Sequence, residues 1–102
     1  MSKFKYFLYI LRCRDGSYYV GHTNDIQNRV AQHNLGLISS YAKERRPVKL
    51  VYAQEYDRRL LAFNAERRIK NWNRKKKEAL INGESDLLSE ASKKINFKRD
   101  KK

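Results

Sequence analysis

Three things are scarce in this sequence: cysteine, long apolar runs and acidic residues. The single cysteine, Cys13, excludes an internal disulfide and a zinc site built from several thiolates. No apolar run approaches the roughly 20 residues of a membrane span, since the longest near the N-terminus, Tyr6 to Leu11, has the length of a strand. The N-terminus also lacks the long apolar region and small-residue cleavage site of a secretion signal. We therefore expect a soluble, cytoplasmic protein.

The shortage of acidic residues leaves a strongly basic chain. Its 102 residues include 24 lysines and arginines against 11 aspartates and glutamates, a formal net charge of +13. Residues 84–102 hold six bases and four acids, a net charge of +2, so residues 1–83 carry +11. A basic body attracts polyanions through counterion release and long-range steering, which makes nucleic acid the expected partner. The alternative is a cationic surface that serves only solubility or association with ribosomes.

A chain of this length can bury one sheet-and-helix core, and no internal repeat or linker divides it. We predict one domain over residues 1–83, followed by a short helix or a disordered basic tail over residues 84–102. The apolar pattern predicts strands over residues 4–12, 17–22 and 48–56, and helices that begin near residues 25, 58 and 74. The predicted fold class is α+β, a three-stranded antiparallel sheet flanked by helices.

The turn between the first two strands decides where two tyrosines, Tyr9 and Tyr19, point. A two-residue loop at Asp15 and Gly16 would place the phenols on opposite faces of the sheet. A three-residue loop over residues 14–16, with Gly16 in the left-handed conformation, would place them on one face. Turn propensity does not choose between these registers, but one site that contains both tyrosines requires the three-residue loop.

Polar side chains flank the apolar stripes of the first two helices. Asn24, with Gln27 as the second half of a capping box, is the predicted N-cap of the first helix, and Asp57 that of the second. In the first helix an arginine and a histidine lie one turn apart, and in the second a glutamate lies beside the stripe. The alternative interpretations are a core histidine and a surface glutamate that pairs with a lysine four residues later. The residues concerned are Arg29, His33, Glu66 and Lys70.

The segments Phe7-Leu8-Tyr9 and Tyr19-Val20-Gly21 resemble the two tyrosine-containing motifs that give the GIY-YIG nuclease superfamily its name. The first motif keeps only its tyrosine. Arg29 follows ten residues after the second tyrosine, His33 lies one turn further, and Glu66 lies on a later helix, as in that superfamily. The resemblance covers residues 4–81 and is to the small, single-domain bacterial members.

This resemblance implies the GIY-YIG endonuclease fold and a metal-dependent endonuclease that hydrolyses phosphodiester bonds in DNA, in repair or processing. Glu66 would be the sole protein ligand of Mg²⁺ or Mn²⁺, and Arg29 would hold the scissile phosphate. Tyr9 or Tyr19 would orient or deprotonate the attacking water, because nearby cations favour a phenolate. His33 would contact the phosphate or carry a proton.

The expected partner is DNA, with RNA as the alternative, and no membrane. The protein would act as a monomer or weak homodimer, and the alternative function is a non-catalytic nucleic-acid-binding module of the same fold. A late polar residue of the site would be Asn71, Asn73 or Asn82. The residues expected to bind nucleic acid are Arg29, Lys43, Arg45, Arg46, Lys70, Arg74 and Lys75.

Overall fold

The computed structural model describes residues 5–84 and 92–94. Within these residues the chain forms four strands, three α-helices and one 3₁₀ helix. None of these helices combines the length and the apolar character needed to cross a membrane. The elements, in chain order, are β1 (Tyr6–Arg12), β2 (Tyr18–Thr23), α1 (Ile26–Asn34), the 3₁₀ helix (Tyr41–Arg45), β3 (Lys49–Tyr56), α2 (Arg59–Lys70), α3 (Arg74–Ile81) and β4 (Ser92–Lys94).

The sheet has the order β2-β1-β3-β4, and every neighbouring pair is antiparallel. The predicted α+β fold, with three antiparallel strands flanked by helices, is confirmed. The three-residue strand β4 adds to the edge at β3, inside the segment for which a short helix or a disordered tail was predicted. The rest of that prediction, over residues 85–91 and 95–102, lies outside the described residues, and the boundary at residue 83 stays a prediction.

A three-residue loop joins β1 to β2, as a shared site for the two tyrosines requires. Gly16 has a φ of +88°, in the left-handed region. Cys13 closes the loop, since its N–H donates to the carbonyl of Ser17 at 2.8 Å and its carbonyl accepts from the N–H of Gly16 at 2.9 Å. In the resulting register Leu11 pairs with Tyr19 and Tyr9 with Gly21. Tyr9 and Tyr19 therefore lie on the same face of the sheet.

Helices cover both faces of the sheet, and each face has its own apolar core. One core lies between the sheet and the last two helices, and the other lies beneath α1 and the 3₁₀ helix. Burial of each large apolar side chain stabilises the fold by about 1.5–3 kcal/mol. The first core contains Leu8, Ile10, Val20, Tyr52, Tyr56, Ala62, Ala65, Ile69 and Leu80. The second contains Tyr9, Leu11, Cys13, Ala42 and Val48.

The N-caps of the first two helices differ from those predicted. Asp25, not Asn24, caps α1: it has extended backbone angles, and its carboxylate accepts from the N–H of Asn28 at 3.1 Å. The hydroxyl of Thr23 accepts from the N–H of Asp25, which holds the chain in this conformation. The predicted capping box is therefore wrong by one residue. At α2 the cap position is Arg58, which makes no side-chain cap bond, so the prediction of Asp57 is also wrong.

Candidate active site

Tyr9 reaches the site because its neighbour on the edge strand has no side chain. Gly21 lies opposite Tyr9 in the sheet, and the phenol ring of Tyr9 lies over it. A Cβ atom at Gly21 would lie 2.6 Å from the Tyr9 oxygen, closer than real contacts allow. The glycine of the second motif therefore makes room for the tyrosine of the first.

Tyr9, Tyr19 and His33 form a cluster of rings between the sheet and α1. The Tyr9 oxygen lies 3.0 Å from Nε2 of His33 in a buried hydrogen bond. The ring centroids of Tyr19 and His33 are 5.1 Å apart, and those of the two tyrosines are 6.4 Å apart. Nδ1 of His33 is buried and has no hydrogen-bond partner among the described residues. The packed histidine anticipated as an alternative is thus also a direct partner of the first-motif tyrosine.

Burial decides the protonation of this cluster. Burial raises the pKa of Tyr9 above the ordinary value, the neighbouring Tyr19 adds to the rise, and the Arg29 guanidinium opposes it. Burial also lowers the pKa of His33, and the positive charge of Arg29 lowers it further. At neutral pH Tyr9 is therefore a phenol and His33 a neutral imidazole. The expectation that nearby cations would favour a phenolate is wrong for Tyr9, because desolvation outweighs them.

Glu66 approaches from the other face of the sheet, around the edge at β2. Its Oε1 lies 2.5 Å from Nδ1 of His22, and its Oε2 lies 2.7 Å from the Lys70 ammonium. The Glu66 side chain is only 12 % exposed. The negative charge of Glu66 also contributes to the raised pKa of Tyr9. The i+4 pair with Lys70, anticipated as an alternative, is present.

His22, which directly follows the second motif and was not singled out from the sequence, contacts the candidate metal ligand Glu66. Successive side chains of β2 point to opposite faces, so Tyr19 and Gly21 face the ring cluster while His22 faces α2. There it contacts Glu66 and packs edge-on against Phe63, with ring centroids 5.6 Å apart. The available signal was its place directly after the second motif. Only the packing of α2 shows which carboxylate it meets.

A small cleft opens beside Arg29. Its volume is about 90 Å³. Arg29 lies one turn before His33 on α1, so the cleft adjoins the ring cluster. Arg59, at the start of α2, is a second arginine of this cleft that the sequence did not single out. The lining residues are Tyr6, His22, Thr23, Asn24, Arg29 and Arg59.

Two of the arginines expected at a nucleic-acid interface form ion pairs with carboxylates of the same chain. Nε of Arg45 lies 3.2 Å from the Asp15 carboxylate, and its guanidinium stacks 3.7 Å from the centroid of the Tyr41 ring. Nε of Arg74 lies 2.9 Å from the Glu78 carboxylate. These contacts tie the 3₁₀ helix to the β1–β2 loop and stabilise α3, so structural roles compete with phosphate binding at both positions.

Several other cations of the predicted interface form no ion pair with a carboxylate within the described residues. Lys43 and Arg46 border an open cavity of about 500 Å³, which Arg14 and Glu44 also line. Neither Lys43 nor Arg46 forms an ion pair within the described residues, although Nε of Arg46 donates to the carbonyl of Lys43 at 2.7 Å. Lys75 is exposed on α3. Their contact with nucleic acid stays a prediction.

The late asparagines also have structural positions. Oδ1 of Asn73 accepts from the N–H of Lys76 at 2.8 Å and caps α3. Asn71 and Asn82 are exposed C-cap residues of α2 and α3. Which of the three serves the site stays a prediction.

The donor atoms for a metal are sparse. Residues 5–84 contain no group of three or more histidine, cysteine, aspartate or glutamate side chains that could hold an ion. Glu66 offers two hard oxygen donors of the kind Mg²⁺ prefers, and its partner Lys70 is half exposed. The residues therefore fit a weak divalent-cation site with one protein carboxylate, and waters or phosphate oxygens would fill the other positions.

A family model described as the GIY-YIG catalytic domain matches residues 5–79. The chain belongs to this family. The UPF0213 protein of Bacillus pumilus is 43% identical over 81 residues, which cover 79% of this chain and 83% of that protein. A UPF0213 protein of Streptococcus pneumoniae is 44% identical over 87 residues, with 83% and 88% of the two chains covered. The resemblance to small bacterial GIY-YIG proteins is thus confirmed.

Two solved structures share the fold. The NMR structure of the UPF0213 protein BH0048 from Bacillus halodurans has a TM-score of 0.51 at 35% identity, covering 76% of this chain and 83% of the other. The NMR structure of EF2693 from E. faecalis has a TM-score of 0.56 at 33% identity, covering 80% and 88%. Membership of the family implies a nucleic-acid substrate and divalent-metal chemistry, while the names of these relatives state no activity.

Proposed function

We propose that this GIY-YIG protein is a metal-dependent endonuclease that hydrolyses phosphodiester bonds in DNA, with a role in DNA repair or processing. The observation that carries the proposal is the convergence of five side chains at the edge of the sheet formed by β2. Three of them contact one another, Arg29 lies one helical turn from His33, and Glu66 contacts His22 of β2. They are Tyr9, Tyr19, His33, Arg29 and Glu66.

Arg29 would hold the scissile phosphate. A guanidinium stays charged at every physiological pH and matches two phosphate oxygens, so it neutralises charge that develops as the phosphorus is attacked. Arg29 lies on the wall of the cleft and beside Tyr9, which places this charge next to the phenol. Lys70, Lys43, Arg46 and Lys75 would bind phosphates further along the strand.

Tyr9 would orient the attacking water through its oxygen. Because His33 is neutral, its Nε2 can accept the phenolic proton, which leaves the lone pairs of the Tyr9 oxygen free to accept a hydrogen bond from water. As the water is deprotonated, the proton can pass to the Tyr9 oxygen while the phenolic proton moves to His33. Tyr19, at the edge of the same cluster, is the alternative residue for orienting water.

Glu66 would hold the cofactor, Mg²⁺ or Mn²⁺. A divalent cation at that position supplies charge neutralisation at the phosphate and lowers the pKa of water. In the free protein the Lys70 ammonium forms an ion pair with one oxygen of Glu66. A bound phosphate group would attract this ammonium and release the oxygen. His22 orients the carboxylate from the other side. A monomer with one such site would nick a duplex rather than cut both strands.

The decisive variant is Glu66→Gln, which keeps the shape of the side chain but removes its charge. We expect Mg²⁺-dependent cleavage of DNA to fall by about 10³-fold, because the metal loses its protein ligand, while DNA affinity changes little. Glu84→Gln, an exposed substitution with the same loss of charge, is the control and should cleave like the wild type. Equal cleavage by Glu66→Gln and the wild type would refute the proposal.

A non-catalytic nucleic-acid-binding module is the second candidate, and the occupied carboxylate favours it. Both oxygens of Glu66 already have protein partners, His22 and Lys70, as a purely structural glutamate would. Binding and cleavage assays of the wild-type protein with Mg²⁺ or Mn²⁺ distinguish the two functions. Binding to supercoiled, branched and single-stranded DNA and to structured RNA, with no cleavage of any of them, would establish the binding module.

A further inference from the structure

The small cleft beside Arg29 has the character of an anion site. Arg29 contributes a positive charge from α1, and Arg59 contributes another from α2. Asn24 and Thr23 add neutral polar groups, and no carboxylate lines the cleft. Its volume of about 90 Å³ suits a group of the size of a phosphate rather than a base. Two arginines that line one small cleft, with no carboxylate among the described residues that line it, favour an anionic ligand.

The position of Arg59 on α2 places it in line with the candidate metal ligand. Arg59 and Glu66 are seven residues apart, so at about 3.6 residues per turn they project from the same face of the helix. Their Cα atoms are separated by about 10 Å along the helix axis, at 1.5 Å per residue. His22 contacts Glu66 and also lines the cleft, so it connects the two. Arg59 therefore lies two turns before Glu66 on the same face of α2, a position that suits a phosphate beside the one at Glu66.

We propose that Arg59, together with Asn24, binds the phosphate group next to the one that Arg29 holds. The proposal rests on the proposed endonuclease function, since it defines the cleft relative to Glu66. Arg59 contacts no carboxylate within the described residues and is exposed, so its guanidinium is available to a ligand. Two phosphates held at a fixed spacing set the direction of the strand across the site.

The neighbouring arginine provides a matched control. Arg58 precedes α2, is equally exposed, and does not line the cleft. Arg58→Gln and Arg59→Gln therefore remove the same charge from adjacent positions of one sequence. Any difference between the two variants reports on the cleft and not on the net charge of the protein.

The test measures DNA affinity for Arg58→Gln and Arg59→Gln, each in a Glu66→Gln background that prevents turnover. A labelled duplex and its separated strand are titrated at several salt concentrations. We expect Arg59→Gln to weaken DNA binding about fivefold to tenfold. The same substitution should make the dependence of affinity on salt shallower by about one phosphate contact. Arg58→Gln should weaken binding less than about twofold. Equal weakening by the two substitutions would overturn the proposal.

A second measurement does not depend on cleavage or on variants. Thymidine 3′,5′-bisphosphate, which carries two phosphates on one nucleoside, is titrated into the wild-type protein and followed by ¹H–¹⁵N NMR. We expect shifts at the backbone of Thr23 and Asn24 and at the Nε groups of Arg29 and Arg59; shifts confined to other surfaces would overturn the proposal.

If these shifts occur and the wild type cuts no DNA, phosphate binding by the cleft stands and the endonuclease proposal alone fails. If the wild type cuts DNA but the two arginine variants bind alike, the cleft proposal alone fails.

Discussion

At the scale of single residues, Gly21 controls the position of Tyr9. We expect Gly21→Ala to displace the phenol from His33, because the added methyl would lie 2.6 Å from the Tyr9 oxygen. Overpacking of this kind costs about 1–3 kcal/mol of unfolding free energy. A displacement of about 1 Å in an active site lowers the rate about a hundredfold. Urea denaturation and a DNA cleavage assay measure the two effects.

Gly16→Ala is the matched control for this substitution. Gly16 has a φ of +88°, so alanine there also destabilises the fold, but no atom lies within 4 Å of the added methyl. We expect Gly16→Ala to lose stability and keep its rate of cleavage. Full cleavage by Gly21→Ala would show that the position of the Tyr9 phenol does not matter for the reaction.

His33 should make the protein sensitive to mild acid. Burial and the charge of Arg29 lower its pKa in the folded state below the ordinary 6.5, so below pH 6.5 the unfolded chain binds the proton more readily. This contribution to stability is complete above pH 6.5 and is lost as the pH falls from 6.5 towards the lowered pKa. Urea denaturation between pH 7.5 and pH 5, a range that brackets the ordinary histidine pKa of about 6.5, measures the loss.

Two variants test whether His33 causes this loss of stability in acid. His33→Gln removes the titrating group, and we expect its stability to change less over this pH range than that of the wild type. Tyr9→Phe removes the hydroxyl but leaves the imidazole buried, so the loss in acid should persist. An equally steep loss in His33→Gln would assign the titration to another group.

At the scale of elements, the sequence identified the face of each strand better than the ends of the helices. Requiring Tyr9 and Tyr19 to share one site selected the three-residue loop, because a one-residue change of register moves every side chain to the other face. The N-cap of α1 was misassigned because Asn24 and Asp25 are both good caps. The bond from Asp25 to the hydroxyl of Thr23, which chooses between them, depends on how the strand leads into the helix.

The contacts that cross between elements were the least predictable. His22 and Glu66 meet because α2 packs across β2, and no spacing along the chain indicates this. The raised pKa of Tyr9 has the same origin, since it depends on how much of the sheet α1 covers. The motifs thus indicate which residues belong to the site, while tertiary packing decides their protonation and their partners.

Helix α2 carries both Glu66 and the lysine that competes for it. We expect Lys70→Met to tighten the binding of Mn²⁺ to the free protein about two- to fivefold, because the metal no longer has to displace an ammonium from Glu66. Electron paramagnetic resonance of Mn²⁺ measures this affinity without DNA. Lys75→Met, an exposed substitution on α3, should leave it unchanged. Unchanged or weaker binding in Lys70→Met would show that the lysine does not compete with the metal.

At the scale of the whole molecule, not all of the 24 lysines and arginines are available to nucleic acid. Arg45 and Arg74 each lie beside a carboxylate, whereas Lys43 and Arg46 border an open cavity without forming such a pair within the described residues. A phosphate displaces counterions only where it meets a cation that the protein has not already neutralised. Two double substitutions, each of which removes two positive charges, distinguish the cations that pair with a carboxylate from those that do not.

We expect Lys43→Gln with Arg46→Gln to weaken DNA binding and to make the logarithmic dependence of affinity on salt shallower by about two, since each duplex phosphate that a cation neutralises adds about 0.9 to this slope. Arg45→Gln with Arg74→Gln should change that slope little and lower the melting temperature instead, because it removes the ion pairs with Asp15 and Glu78. Binding measured from low to moderate salt, with melting curves for both variants, provides the comparison. Equal slopes for the two double variants would mean that nucleic acid responds to the total charge of this protein and not to the cations its fold leaves unpaired.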